Sequence, residues 1–470
     1  MMNFSRNILR IVLAACLAVC SMAAGDPAPP PAPVPAATEV TSTNQGWCNQ
    51  TYLLGDFNQE RSKLEDEGCT IAPSYTAEVF GNPTGGAKQG AIYEGLLILP
   101  VTLDFQKMAG WDGTFHASLY YPMGNSLSAE DTHDILTVSN ISAYNTPHLF
   151  ELWYEQKFWD DKIALRVGQM AADQEFFISN NAAYFLCATY GWPAILSTSA
   201  PTPSYDYASP GVRLRIDPDE HWSFLSGVYA GNPAPDRLGD PDPTRQPGNQ
   251  FDNSGTDFLV SGRQGLFSIS ELWYKLNQDK DARGLPGTYK IGGWFHTSTF
   301  ADERYDNTGI SLASPASSGI ARSLDGNNGF YFIADQAVWQ DKSDPNQTKE
   351  IDLFLRGGNA LGDRSTFDYY GDAGVVFNGF VPGRPNDLFG LATARGNMAP
   401  GQRGLVEDQN TFNGSNLPIP DYEQNIEATY FAQITPWWSV QPDLQVIVHP
   451  GGSSALPTAV VLGCRTVINF

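Results

Sequence analysis

"ELWYEQKFWDDKIALRVGQM", residues 151–170, decides the fold. Apolar and polar side chains take turns along it, and the pattern is interrupted once, at "WDDK", before it resumes. In "KIALRVGQM", Ile163, Leu165 and Val167 fall on one face, while Arg166 and Gly168 fall on the other. Successive side chains of a strand point to opposite faces, so this is a pair of strands joined by a tight turn, each with a dry and a wet side. A soluble sheet can be built this way. So can a barrel wall with lipid outside and water inside.

The same pattern returns along the chain. In "GVRLRI", Val212, Leu214 and Ile216 oppose Arg213 and Arg215, and in "EIDLFLRGG", Ile351, Leu353 and Leu355 oppose Glu350, Asp352 and Arg356. Alternating runs lie near 74–81, 91–104, 113–122, 148–159, 162–170, 208–217, 221–230 and 266–278. They continue near 287–299, 328–340, 348–358, 367–379, 386–395, 422–434, 437–448 and 458–470. The connections after even-numbered runs are tight, as in "WDDK", "DPDEH" and "ITPWW". Those after odd runs include long ones at 123–147, 171–207, 231–265, 300–327 and 396–421. Short turns at one end and long loops at the other describe an outer-membrane barrel. A two-sheet soluble sandwich, the competing architecture, gives no reason for that segregation. The expected fold is all-β: a transmembrane antiparallel β-barrel of about 16 strands, preceded by a short helical segment.

The ends fit an exported protein. Residues 1–24 read as a signal peptide, with Arg6 and Arg10 ahead of "IVLAACLAVC" and the small-residue exit "SMAAG". Residues 25–45 form a Pro-rich linker. Residues 46–70 form an N-terminal periplasmic segment with one helix in "DFNQERSKLEDEG", and 71–470 form the barrel. Cys48 and Cys69 flank that helix in an oxidising compartment, and a disulfide between them is expected. No apolar run reaches the roughly 18 residues of a membrane helix. A bilayer-spanning form of this chain must therefore be a closed barrel. The chain ends on Phe470 after "VVLGCRTVIN", with Leu462, Cys464, Thr466 and Ile468 on one face. A terminal strand finishing on an aromatic resembles the signal read by the barrel assembly machinery, which is expected as a partner along with outer-membrane lipid.

Composition narrows the function. The chain has 51 acidic and 28 basic residues, a formal charge of −23. Removal of the signal with its two arginines leaves 51 acidic against 26 basic, or −25. Nucleic acid is excluded as a partner, since phosphate binding needs basic patches that are absent. No G-x-S-x-G elbow occurs, and the six histidines stand in no triad or zinc pattern. No catalytic residue, metal ligand set or cofactor is expected.

Several stretches together resemble the carbohydrate-selective outer-membrane porins of the OprB family: "GNPTGG", "LDFQKMAGWDGTFHASL", "LFELWYEQKFWDDKIALRVGQMAADQEFFISNNAAYFLCATYGWP", "YASPGVRLRIDP", "GVYAGNP" and "YEQNIEATYFAQITPWWSVQPDLQVIVHPGG". The resemblance covers most of the chain after the linker. It implies a sixteen-stranded barrel, monomeric or a homotrimer, that passes sugars such as monosaccharides across the bacterial outer membrane by facilitated diffusion. A general diffusion porin and a structural surface barrel are the alternatives. The Pro-rich linker and the pair Cys48 and Cys69 depart from the family pattern.

A sugar channel needs charged and polar groups for hydroxyls and aromatic faces for the apolar side of a pyranose, with binding weak enough to release. The loop 171–207 is the candidate constriction. It supplies Asp173, Glu175 and Trp192, and the adjoining wall supplies Arg166, Arg213 and Arg215. Asp173 has an alternative role, capping a short helix in "AADQEFFISNNAAYF". Glu94, Asp104, Glu151, Glu155, Glu271, Glu427 and Arg465 also fall on inward faces, and the acid excess leads to an expected cation preference for the ion current. "ELWYEQ" at 151 recurs as "ELWYKL" at 271, four strands later, which reads as repeated strand chemistry.

Overall fold

The computed structural model describes residues 46–233, 250–251, 253–260, 265–278, 282, 284–343 and 349–470. The signal peptide and the Pro-rich linker lie outside the described residues. Sixteen long strands occupy the positions expected from alternation. The first eight are β1 (Ser74–Thr84), β2 (Ala91–Asp104), β3 (Gly113–Gly124), β4 (His148–Phe158), β5 (Ile163–Met170), β6 (Ser209–Ile216), β7 (Trp222–Ala230) and β8 (Leu266–Leu276). The second eight are β9 (Gly287–Asp306), β10 (Ala321–Gln340), β11 (Glu350–Asn359), β12 (Phe367–Asn378), β13 (Leu388–Met398), β14 (Tyr422–Thr435), β15 (Trp438–Val448) and β16 (Ala459–Asn469). Each pairs antiparallel with its neighbours in sequence, and β16 closes the ring on β1 from Val460↔Thr84 to Asn469↔Ser74. Closure leaves no edge, so every strand's backbone groups find partners within the wall.

The two faces divide as the alternation requires. Leu165, Val167, Val212, Leu353, Leu355 and Leu462 are exposed on the outer surface, whereas Glu155, Arg213, Asp352, Arg356 and Arg465 are buried inside. Outward apolar side chains meet lipid, where a charge at the midplane costs about 2–4 kcal/mol. Exposed aromatics gather near the turns, among them Trp111, Phe158, Trp159, Trp222 and Phe380, the place of an interfacial girdle.

Two strands run further than expected. β9 extends to Asp306 and β10 begins at Ala321, so half of the loop anticipated at 300–327 is strand. The extension, "FADERYD", is polar on both faces because it rises past the lipid into water, and a strand wet on both sides shows no alternation.

The N-terminal segment sits at the turn end of the barrel. Its helix is confined to Glu60–Asp66, and the following Gly68 has a φ of +91° with its N–H on the Glu65 carbonyl. A three-residue strand, Cys69–Ile71, adds to β2 opposite Leu103 to Val101. Leu53 N–H donates to the Asn469 carbonyl at 2.8 Å, Arg61 donates to the Phe470 main-chain oxygen at 2.7 Å, and Trp437 donates to the Trp47 carbonyl at 3.1 Å. The expected Cys48–Cys69 bridge is not formed, and both thiols are free. Cys69 is buried on the short strand, while Cys48 is exposed on a turn held by the packing of Trp47 on Trp437.

The largest apolar core lies inside the barrel. The loop between β5 and β6 folds into the lumen and carries Phe176, Phe177, Phe185, Tyr190, Trp192, Ile195 and Leu196 against inward side chains of the wall, including Phe267, Ile269, Tyr331, Phe354 and Phe367. The loop between β3 and β4 joins it through Leu136. Part of the inner wall is therefore apolar, and it is covered by loop rather than by water.

Candidate functional site

The loop is hung from charged residues of the wall. Glu151 on β4 accepts from Ala171 N–H at 3.0 Å, Glu271 on β8 accepts from Phe177 N–H, and Asp335 on β10 accepts from Asn180 N–H at 3.2 Å and from Ser179. Glu427 on β14 accepts from Leu186 N–H at 2.6 Å and Cys187 N–H at 2.9 Å. Glu423 holds the neighbouring loop through Ile135 N–H at 2.8 Å and Leu136 N–H at 2.7 Å. On β11, Arg356 is wholly buried, pairs with Asp372 at 2.7 Å and donates to the carbonyls of Phe177, Thr189, Tyr190 and Gly191. Backbone groups inside a barrel need partners as much as those in any core, and inward carboxylates and a guanidinium supply them here.

Between this loop and the opposite wall remains a cavity of about 560 Å³, within the range of about 300–1,000 Å³ of small-molecule sites. The loop lines one side with Asp173, Gln174, Glu175, Ile178 and Asn180. The wall from β6 to β9 lines the other with Arg215, Ser223, Leu225, Trp273, Lys275 and Lys290, together with Asp217 just beyond β6. The charged lining residues are Asp173, Glu175 and Asp217 against Arg215, Lys275 and Lys290, so acid and base are matched.

The candidates read from sequence fall into different places. Glu175 is the acidic edge. Its carboxylate receives Arg213 at 2.5 Å through both Nε and Nη2, and Arg166 stands 3.4 Å away. Glu155 takes Arg213 at 2.7 Å and Arg166 at 3.0 Å, which completes a square of two acids and two bases. Arg213 is fully buried in this square and does not line the cavity, whereas Arg215, two residues along the same face, does, with Asp217 at 2.7 Å. Asp173 touches the cavity, but its carboxylate accepts Tyr205 N–H at 2.7 Å. That bond ties the two ends of the loop together instead of capping a helix, and the stretch forms two separate 3₁₀ turns, Ala172–Gln174 and Ala182–Tyr184.

Trp192 is displaced from the expected role. It is buried in the loop's own apolar core, away from the cavity lining, because a long loop folded into a lumen needs bulky apolar side chains to pack it down. The aromatic that lines the cavity is Trp273 on β8, with Lys290 Nζ 4.1 Å from its ring centre. Asp104, expected on an inward face, instead caps the short helix Phe105–Ala109 at the turn end by accepting from Gln106 and Lys107 N–H. Trp273 was legible as half of the repeated "ELWY", but its proximity to the loop was not, since the two are about a hundred residues apart.

The chain's likeness to known proteins agrees with this geometry. It is 27% identical to Porin B of Pseudomonas aeruginosa over 462 residues, covering 91% of this chain and 92% of that one. It is 24% identical over 466 residues to the putative porin QuiX of Acinetobacter baylyi, covering 92% and 96%. The high-pH structure of Pseudomonas putida OprB superposes with a TM-score of 0.78 at 22% identity, covering 91% of this chain and all of that one, which shows the same fold. The model of the carbohydrate-selective porin, OprB family, matches residues 88–470. The chain belongs to the carbohydrate-selective porins of the OprB family, barrels of the bacterial outer membrane.

Proposed function

We propose that the cavity between the β5–β6 loop and the β6–β9 wall is the sugar-selective constriction, and that it passes single-ring sugars by facilitated diffusion without catalysis. The observation that carries this reading is the lining itself: Asp173 and Glu175 on the loop face a wall that carries Arg215, Lys275 and Lys290 beside Asp217, with one tryptophan among them. Charges of both signs across a narrow passage offer donors and acceptors to hydroxyls. They offer no net attraction to an ion. Trp273 gives the apolar face of a pyranose a surface to lie against. Weak, reversible occupancy follows from contacts that remain wet on one side.

The matched lining argues for a weaker cation preference than the acid excess alone implies. Glu151, Glu271, Glu423 and Glu427 are engaged with backbone N–H groups of the loops. Their charge is spent close by, and residual ion flow should be only weakly selective. The apolar outer belt suits outer-membrane lipid, and Phe470 at the end of β16 suits the assembly machinery. Residues 46–70 form the periplasmic segment beneath the turns in this reading.

Single-channel conductance in a planar bilayer, titrated with glucose and with larger oligosaccharides, tests the proposal. Saturable block by glucose at millimolar levels is expected. A current that falls only in proportion to solution viscosity, identically for all sugars, would make this a general diffusion porin.

A further inference from the structure

The repeated tetrapeptide marks two versions of one device. In the first, Glu151 accepts from the Trp153 indole at 3.3 Å and from Ala171 N–H at 3.0 Å. In the second, Glu271 accepts from the Trp273 indole at 2.5 Å, from Tyr331 at 2.8 Å and from Phe177 N–H. A cation from the next strand covers each indole, Arg166 at 3.8 Å from Trp153 and Lys290 at 4.1 Å from Trp273. Trp153 is also stacked on His116 and stays out of the cavity, while Trp273 lines it. The two carboxylates thus grip the opposite ends of one seven-residue stretch, Ala171–Phe177, and Glu175 lies between them.

We infer that Glu151 and Glu271 are positioning residues for selectivity, a pair of carboxylate clamps that hold Ala171–Phe177 taut so that Glu175 stays on the edge of the passage. Neither lines the cavity, and both are buried. They act through the backbone of the loop and do not touch the permeant. A carboxylate is needed because each clamp receives donors on both oxygens, and an amide presents only one acceptor oxygen. This rests on the reading of the cavity as the permeation path. It does not require that the permeant be a sugar.

The test is a double-mutant cycle read in salt alone. Reversal potential in a salt gradient and open-channel noise are measured for the native channel, Glu175→Gln, Glu271→Ala and the double variant. Glu271→Ala should shift the reversal potential in the same direction as Glu175→Gln and raise the noise. In the Glu175→Gln background it should shift the potential no further. Glucose half-block in Glu271→Ala should rise about tenfold, the effect of one lost charged hydrogen bond. Glu427→Gln removes an equally buried wall carboxylate that grips the loop elsewhere and should leave the potential in place. Full additivity in the double variant, an unchanged potential in Glu271→Ala, or an equal shift in Glu427→Gln would each overturn the clamp. If Glu271→Ala does not assemble, Glu271→Gln keeps the volume and one acceptor and answers the same question. A native channel that glucose fails to block would end the sugar reading and leave these outcomes interpretable.

Discussion

Arg213 and Arg215 stand two residues apart on the same face of β6, yet their replacement by alanine should do different things. Arg213 is fully buried and gives Glu175 two hydrogen bonds of 2.5 Å and Glu155 one of 2.7 Å. Breaking a buried ion pair by removing one partner costs about 3–5 kcal/mol. Here Arg166 remains within 3.4 Å of both acids, so a loss of about 2–3 kcal/mol is the better figure. That corresponds to roughly a 30- to 150-fold shift toward a released loop segment. Two acids then share one guanidinium, and the local balance moves from zero to −1. Arg213→Ala should therefore raise cation preference and open-channel noise together, and weaken glucose block. Arg215 is about a third exposed and paired with Asp217 at 2.7 Å, where a wet ion pair contributes about 1 kcal/mol or less to stability. Arg215→Ala should weaken glucose block by about fivefold, the loss of one hydrogen bond of roughly 1 kcal/mol. The noise should stay native. Single-channel recordings with increasing glucose, paired with reversal potentials, separate the two. Identical phenotypes, or unaltered block and selectivity in both, would refute the division between a locked and a lining arginine.

Trp273→Ala should raise the glucose half-block concentration about three- to tenfold, the share of one aromatic contact, and glucose titration of the single-channel current reads it directly. Arg356→Ala removes a donor from four loop carbonyls and from Asp372, and leaves Asp372 and the Thr189 carbonyl with the Tyr370 hydroxyl. It should cost about 3–5 kcal/mol and make the loop sensitive to protease in purified channels while the barrel remains heat-modifiable. Deleting Phe470 removes both the N–H bond to the Pro73 carbonyl and the oxygen held by Arg61. Unfolded chain should accumulate in the periplasm, and normal heat-modifiable barrel would count against a role for the terminus.

The strands were readable because lipid imposes a strict rule on one face of each. Val167, Val212 and Leu355 had to alternate with something, whatever that was. The rule weakens wherever its cause is absent. Above the bilayer, β9 and β10 lengthen without alternation, and on β8 to β12 the loop's apolar core puts Phe267, Tyr331 and Phe354 on the inner face as well. The candidate site was readable as a loop and a wall, and Asp173, Glu175 and Arg215 are among the residues that line the cavity. Arg213 could not be told from Arg215, since which one lies behind Glu175 depends on where a distant loop comes to rest. Trp192 packs in the loop core and Trp273 lines the cavity for the same reason. Lys275 and Lys290 gave no sequence signal at all, as an isolated lysine between a tyrosine and an aliphatic residue looks like any wetted wall residue.

The loop core has a consequence for how such channels diversify. Strand number fixes a barrel's diameter, and changing it means adding whole hairpins to a closed ring. Here the open space is limited instead by the thickness of a filling that the ring encloses, packed against β7 to β13, and the cavity left over lies along β6 to β9. Exchanging a bulky side chain for a small one on the loop's cavity side widens the aperture while the lipid-facing surface stays as it was. Size discrimination and membrane fitness are thereby written on separate residues, and each is free to drift without the other.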